Sequence, residues 1–487
     1  MTVLKIAVVV FYLLLMIWAG MKEMKRSKTY NDMFLGGSSV GPIISGFSYG
    51  MSYFSAVIFI GFSGMIGWLY GLAGIWLGIA NAVLGVLLIW ITVGPKAKDA
   101  SVELGVSTLP EYFKVRYGSS FFQIFCSVIT FVFLVPYTAS IMIGLGYLFT
   151  AVFNIPFVVS IIGIAIFVGI YLLLGGYKSM AKIDGVFGMI LIIGCVAYVV
   201  TLLVQGGGWS NMYDQLKAYD PKFVDFWGFG PKPWDVVALC LTTSIPIACM
   251  PHMVHKFFAI KDKKSLKSGK WISAFFCLFT GFVAYYVGAN ARLFVDIKVE
   301  NGKMVFDAVI PDLMVHIMTG PFSIVLIVML LLIIAASIAP SAARILNSSA
   351  TVTQDLYKAY INKNATDKQQ TNLMRACNII FIIIAILIAL SKPSAIVLIF
   401  SLSYGAIAGA FLGPWIWGLF WRGTNVYGAL VGGLLGFLTD IVLVAGFSVP
   451  TYTAAVVAMA VSLVVVPIVS AVTGGAAKNK EMVKVNH

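Results

Sequence analysis

Charge is what this sequence has least of. Asp, Glu, Lys and Arg together make 11% of its 487 residues, and there are 19 acids and 4 histidines. Within its apolar stretches no nucleophile stands beside a base, so nothing points to an enzyme. The six cysteines (Cys126, Cys195, Cys240, Cys249, Cys277, Cys377) all sit in apolar segments and none has CxxC spacing. That pattern offers neither a disulfide framework nor a zinc site, and the thiols read as small packing residues. His252 and His255 form an HxxH beside Lys256 but lack a third ligand, so they read as packing near a surface or loop and not as a metal site. Rings of charge or of repeated carbonyl loops, which a channel needs, are also missing. No linker or low-complexity segment interrupts the chain. It reads as one domain over 1–475 with a tail at 476–487, and no cofactor is implied.

What the chain has in abundance is apolar length. Hydrophobic residues make up 60% of it, and the mean hydropathy is +0.97. A soluble domain cannot hide that much apolar surface, so lipid is the solvent for most of the chain. A spanning helix needs about 20 apolar residues. Thirteen windows qualify, near 4–23, 41–71, 74–95, 119–149, 151–174, 184–205, 235–257, 271–296, 319–347, 374–391, 394–420, 427–447 and 450–474. They are called spans 1 to 13 below, and they predict an all-α integral membrane protein. Span 1 is too long for a signal-peptide core and is followed by MKEMKRSK with no small-residue cleavage site, so it is expected to be retained.

The formal net charge is +14, and its distribution argues for a membrane and against nucleic acid. With the N-terminus outside, most Lys and Arg fall on the cytoplasmic side. They lie in MKEMKRSK, GPKAKD, EYFKVRYG, GGYKSMAKID, HKFFAIKDKKSLKSGK, the segment from Arg344 onward, WRG and the tail. This is the positive-inside bias. It predicts a multi-pass protein of the plasma membrane with a cytoplasmic C-terminus.

Span 2 would start inside and span 7 outside. Five-span units beginning there, about 41–205 and about 235–420, would be inverted with respect to each other, as in transporters that hold solute and ion at interrupted helices. Span 2 carries Gly46, Gly50, Gly61, Gly64 and Gly67 around a central MSYFS, which suits an unwound turn and equally a small-residue packing face. Span 7 carries Thr242, Thr243 and Ser244 just before Pro246. These hydroxyls could meet a polar solute or back-bond to their own helix.

Six stretches then appear in order: SYFSAVIFIGFSG, LPEYFKVRYGS, GGYKSMAKIDG, PHMVHKFF, NSSATVTQDLY and GPWIWGLFWRGTNVYGA. Together they resemble the sodium:solute symporter family, which includes sodium/glucose, sodium/proline, pantothenate and sialic acid transporters. The resemblance implies the leucine-transporter fold with two inverted five-helix repeats and a small-molecule solute moved with a coupling cation. It places the main sodium site between span 2 and span 9, where carbonyls would come from Met51, Phe54 and Ala336. Two hydroxyl residues on span 9 should complete the shell, but the counterparts are Ala339 and Pro340, and shifting by one residue toward Ser341 supplies only one. A second ion site would use an aspartate, matched by Asp184, and serines that fall on Ala342 and Ala343.

Three carbonyls make a thin shell for a hard cation. Pro340 has no N–H, so the Ala336 carbonyl one turn earlier loses its partner. That arrangement suits an ion site or a plain kink. Arg344 lies one turn, about 6 Å, further on. It could snorkel to headgroups, or it could be a fixed guanidinium that replaces the ion or pairs with Asp184. Asp184 fits either a dipole-stabilised helix start or a proton carrier. Asp440, outside the ten-helix core, is expected to make a polar contact at the outer face.

The predicted substrate pocket comprises Ser52, Tyr53, Ser55, Phe59, Thr242, Thr243, Ser244, Ser401, Ser403 and Tyr404. These neutral groups suit an amino acid, a monocarboxylate or a similar metabolite. Val57 and Ile58 stand where sugar transporters carry polar residues. The expectation is therefore a secondary active transporter, proton-coupled through Asp184 with Arg344 as modulator. Sodium at an altered site and uncoupled exchange are the alternatives, and a transporter-like sensor is a more distant one.

Overall fold

The computed structural model describes residues 2–24, 34–35, 40–174, 177–300, 302–391 and 395–474. The expected tail at 476–487 lies outside the described residues. Nineteen α-helices among the described residues carry the fold. The first seven are α1 (Thr2–Met24), α2 (Pro42–Tyr53), α3 (Ser63–Tyr70), α4 (Ile75–Ala82), α5 (Ile89–Glu103), α6 (Leu109–Tyr117) and α7 (Ser120–Phe153). Next come α8 (Phe157–Leu174), α9 (Tyr177–Gln205), α10 (Trp209–Tyr219), α11 (Pro233–Ser244), α12 (Pro251–Ala259) and α13 (Lys263–Asn290). The last six are α14 (Val309–Ile317), α15 (Ser323–Ala350), α16 (Asp367–Ser391), α17 (Ile396–Phe420), α18 (Val426–Ala445) and α19 (Thr451–Val472). One two-residue hairpin, Val299–Glu300 with Lys303–Met304, is the only sheet among the described residues.

By length and apolarity, ten helical stretches among the described residues can each cross a membrane, or eleven if the bent pair in span 7 counts as one. The sequence suggested thirteen. Spans 2 and 3 meet in a helical path that runs from Val57 to Glu103, with only a tight turn at Gly71–Gly74 between them. Gly71 sits at φ 60, a left-handed conformation that glycine adopts without a Cβ clash. Several helices outrun their apolar windows. α9 starts at Tyr177 rather than at Asp184, and α13 begins at Lys263. Lysines and other polar residues are good enough helix formers to extend an end beyond the lipid.

The outer faces of α1, α8, α9, α16 and α19 are apolar and exposed, as at Phe11, Val158, Ile193, Leu387 and Val472. In water such a belt would be a liability, whereas in lipid it is the solvated surface. α17 is buried along most of its length.

Helix pairs at the centre approach closely through small residues. A Cβ on Gly67 would come within 2.0 Å of the Gly288 backbone, and one on Gly78 within 2.8 Å of Gly281. α13 thus lies backbone to backbone against α3 and α4, which only glycine permits. Just beyond α15, the buried Asp355 carboxylate accepts from the Thr108 hydroxyl at 2.8 Å and from Gln123 Nε2 at 3.1 Å. This ties the wide helical turn Thr351–Ile361 to the start of α6 and to α7.

Gly67→Val is expected to lower stability by about 1–3 kcal/mol or more through overpacking. Gly163→Ala, at a site with no atom within 4 Å, should be neutral or slightly stabilising. Thermal unfolding of the purified protein in detergent, followed by tryptophan fluorescence, checks both.

Candidate functional site

The break predicted in span 2 falls at MSYFS. α2 ends at Tyr53, the chain bends at Phe54 and Ser55, and helical geometry resumes as a wide turn at Val57–Phe62 that leads into α3. In a continuous helix the Ala56 N–H would bond the Ser52 carbonyl. Here that bond is open, and α15 takes both ends. The Ala56 N–H donates to Ser337 Oγ at 2.8 Å. The Ser52 carbonyl accepts from Arg344 Nη2 at 2.5 Å. Ser337 and Arg344 are seven residues apart, two turns on one helix face. The long arginine side chain points back toward the N-terminus of its helix, as helical side chains do, and so reaches the turn that Ser337 occupies.

Arg344 is 0% exposed, so it does not snorkel to a headgroup. Its guanidinium lies 4.4 Å from the Tyr137 ring centre, a cation–π contact in a dry site. Its Nε and Nη1 have no hydrogen-bond partner. Nor does it form an ion pair with Asp184, the partner suggested from sequence. That carboxylate sits in a chain with α2 and α12. Ser48 Oγ donates to Asp184 Oδ2 at 2.9 Å, Lys256 Nζ donates to Ser48 Oγ at 2.7 Å, and Lys256 Nζ stands 3.9 Å from Asp184 Oδ2. Asp184 is buried well inside α9 rather than at a helix start, and Lys256 is buried too.

The predicted ion-site residues are all buried, Met51 near the end of α2, Phe54 in the bend, and Ala336, Ala339, Pro340 and Ser341 on α15. α15 runs on through Pro340. Ser341 spends its hydroxyl on the Ser337 carbonyl at 2.6 Å. The only α15 hydroxyl that reaches the broken helix among the described residues is Ser337, which holds an amide.

A second polar focus joins α2, α4 and α11 at Asn81. Its Oδ1 accepts from Thr243 Oγ1 at 2.7 Å, Tyr53 Oη at 2.9 Å and Ser244 Oγ at 3.0 Å. Tyr53 Oη also lies 2.5 Å from the Thr243 carbonyl. Asn81 is buried, and its Nδ2 has no acceptor. The hydroxyls of Ser52 and Ser55, at the break, are buried without partners as well. Three predicted pocket residues therefore meet at Asn81. Phe59 is buried in the wide turn, against Phe54.

The other pocket candidates are used elsewhere. Thr242 donates to the Tyr452 carbonyl of α19 at 2.8 Å. Ser401 and Ser403 back-bond within α17 at 2.8 and 3.2 Å. Tyr404 stacks on Phe400 at 3.9 Å and meets Tyr137 edge-on at 5.3 Å. His252 and His255 are not at a surface: both are 4% exposed, His252 beside Tyr137 and His255 between Phe34 and Tyr177. Asp440 makes no outer-face polar contact. It is buried against Gly405, with neither carboxylate oxygen bonded.

A broken apolar helix facing a long partner helix, with polar groups converging on the break, defines a secondary transporter of the leucine-transporter fold. A model described as the sodium:solute symporter family matches residues 33–436. The chain belongs to that family, and it is a membrane transporter, not an enzyme. The osmoregulated proline transporter OpuE of Bacillus subtilis (strain 168) is 25% identical over 440 residues, 88% of this chain and 87% of that protein. A sodium/proline symporter of Staphylococcus aureus is 26% identical over 449 residues, 90% of this chain and 85% of its own. A sodium-coupled sialic acid symporter, solved substrate-bound and outward-open, superposes with a TM-score of 0.79 at 19% identity, covering 96% of this chain and 97% of that one. Mhp1, a nucleobase-cation-symport-1 family transporter, gives 0.56 at 12% identity over 91% and 96% of the two chains.

Ser337→Ala leaves a buried amide without its acceptor, and the loss should be about 1–3 kcal/mol. Ser341→Ala removes only a bond within α15 and should cost less than about 1 kcal/mol. Unfolding midpoints of the two variants, measured side by side, check the contrast.

Proposed function

We propose that this chain takes up a small organic solute across the plasma membrane by alternating access without a sodium ion at the α2–α15 site. The observation that carries this reading is the Arg344 guanidinium on the Ser52 carbonyl. An arginine stays charged at any working pH. It supplies a tethered positive charge at the broken helix, while the two hydroxyl positions that should wrap a sodium ion hold Ala339 and Pro340.

The coupling cation in this reading is a proton, carried by Asp184. Lys256 on α12, Ser48 on α2 and Arg344 on α15 bear on that carboxylate, and the phenols of Tyr12, Tyr171 and Tyr177 surround it. A proton arriving on Asp184 cancels its attraction for Lys256 and loosens the tie between α2, α9 and α12. Relatives' names lend protons no support, so this part rests on residues of this chain alone. A second reading, sodium coupling, is favoured by the name of the Staphylococcus aureus relative. It requires Arg344 to release the Ser52 carbonyl to an ion.

In the proposed arrangement, residues 41–205 and 235–420 are the inverted repeats that rock, and the N-terminus is outside. The solute sits at the Asn81 focus, with Ser52, Ser55, Tyr53, Thr243 and Ser244 around it. Asn81 Nδ2 has no acceptor, which suits it to an oxygen atom of the solute.

Uptake of labelled amino acids and monocarboxylates into proteoliposomes, under separately imposed sodium and proton gradients, tests the reading. Accumulation should follow an inward proton gradient and ignore sodium, and Asp184→Asn should abolish it while exchange persists. Accumulation that follows sodium alone contradicts the proposal. Asn81→Ala should raise the KM of the transported solute about tenfold, the loss of one or two hydrogen bonds.

A further inference from the structure

We infer that Arg344 is the recognition site for an anion, and that the transported solute is a small monocarboxylate with an apolar body. This rests on the reading of the chain as a solute transporter. It adds the substrate class and a contact residue outside the Asn81 focus.

The argument begins with charge. At the core, α2, α9, α12 and α15 bring together two cations, Arg344 and Lys256, and one carboxylate, Asp184. Lys256 has that carboxylate at 3.9 Å and shares Ser48 with it. Arg344 has no ion pair among the described residues. Its bonded partners are one carbonyl and the face of Tyr137, both neutral. A buried ion without a counter-charge is costly, and proteins pair such ions or neutralise them. Lysine can lose its proton, but arginine cannot. Asp184 bears on Arg344 only without direct contact and is committed to Ser48 and Lys256, so a carboxylate from outside the chain would supply the direct partner that the guanidinium lacks.

Geometry agrees with charge. Nε and Nη1 of Arg344 are buried donors with no acceptor. A guanidinium with free N–H groups matches a carboxylate better than any neutral acceptor. Both ring nitrogens of His252 are also unbonded, and that ring lies 5.7 Å from Tyr137. Tyr137, beside the guanidinium, packs in turn against Phe400 at 5.2 Å and Tyr404 at 5.3 Å. This aromatic wall suits an apolar body. One carboxylate on a small hydrocarbon or aromatic frame satisfies both halves. Moved together with one proton, such a substrate crosses the membrane with no net charge, and the tethered arginine stays behind.

The test is ligand-dependent thermal unfolding of the purified full chain in detergent. The probes are acetate, lactate, pyruvate and benzoate, each beside its amide, together with proline. At least one carboxylate should raise the midpoint, and its amide should not. Arg344→Gln should remove the rise. Arg344→Lys keeps the charge but loses the fork, so it should weaken apparent affinity about tenfold or more; it also serves if Arg344→Gln does not fold. An amide as effective as its acid, an unchanged response in either variant, or no rise with any carboxylate would each overturn the inference. Carboxylate binding without uptake in proteoliposomes would refute the transporter reading and leave the anion site standing. Arg344-independent uptake of neutral solutes would do the reverse.

Discussion

One opened hydrogen bond organises the centre of this molecule. Where α2 stops, the Ala56 amide and the Ser52 carbonyl lose each other, and a membrane interior does not tolerate such orphans. α15 repairs both ends from a single face, a serine for the amide and an arginine for the carbonyl. Transporters built on broken helices aim the freed carbonyls at a cation. In the proposed reading the cation of this chain is covalently part of the partner helix. A side chain so placed cannot diffuse away and cannot be exchanged for a bath ion.

That substitution has consequences for the neighbouring groups. A fixed positive charge at the break leaves Asp184 free to bond Ser48 and face Lys256 rather than neutralise the guanidinium. The pair shares a hydroxyl donated by the broken helix itself, so the charge state of Asp184 is tied mechanically to α2. The Asn81 focus lies on the other elements that meet α2, and it binds the two interrupted helices, α2 and α11, through one amide oxygen. In the proposed reading, solute contact and cation contact act on the same piece of backbone, the physical requirement for coupling one to the other.

Much of this was legible in the sequence because lipid imposes simple rules. Apolar length gave the helices, and a glycine- and serine-rich centre gave the break at MSYFS. Pro340 and Arg344 marked α15 as unusual before any contact was known. The sequence misled where direction mattered. Thr242, Ser401 and Ser403 are hydroxyls on the expected helices, but rotamer and helix phase turn them toward a neighbouring carbonyl or their own backbone. Arg344 reads from sequence as a snorkelling residue, a partner of Asp184 or a fixed guanidinium in place of the ion; it is buried and forms no ion pair with Asp184. Asn81 and Ser337 escaped notice because a lone amide or serine in an apolar helix carries no periodic signal. The spacing Ser337 to Arg344, two turns on one face, was the available clue. Lys256 reads from sequence as part of a basic helix end, and its burial against Asp184 depends on a long-range packing that no local pattern records.

The central claim is that the Arg344 guanidinium fills the cation position at the broken helix. Binding of radioactive sodium to the purified protein, by scintillation proximity, addresses it directly. The account predicts no saturable sodium binding to the native chain. Saturable binding at millimolar sodium, lost when Ser337 or the α2 break is altered, would contradict it.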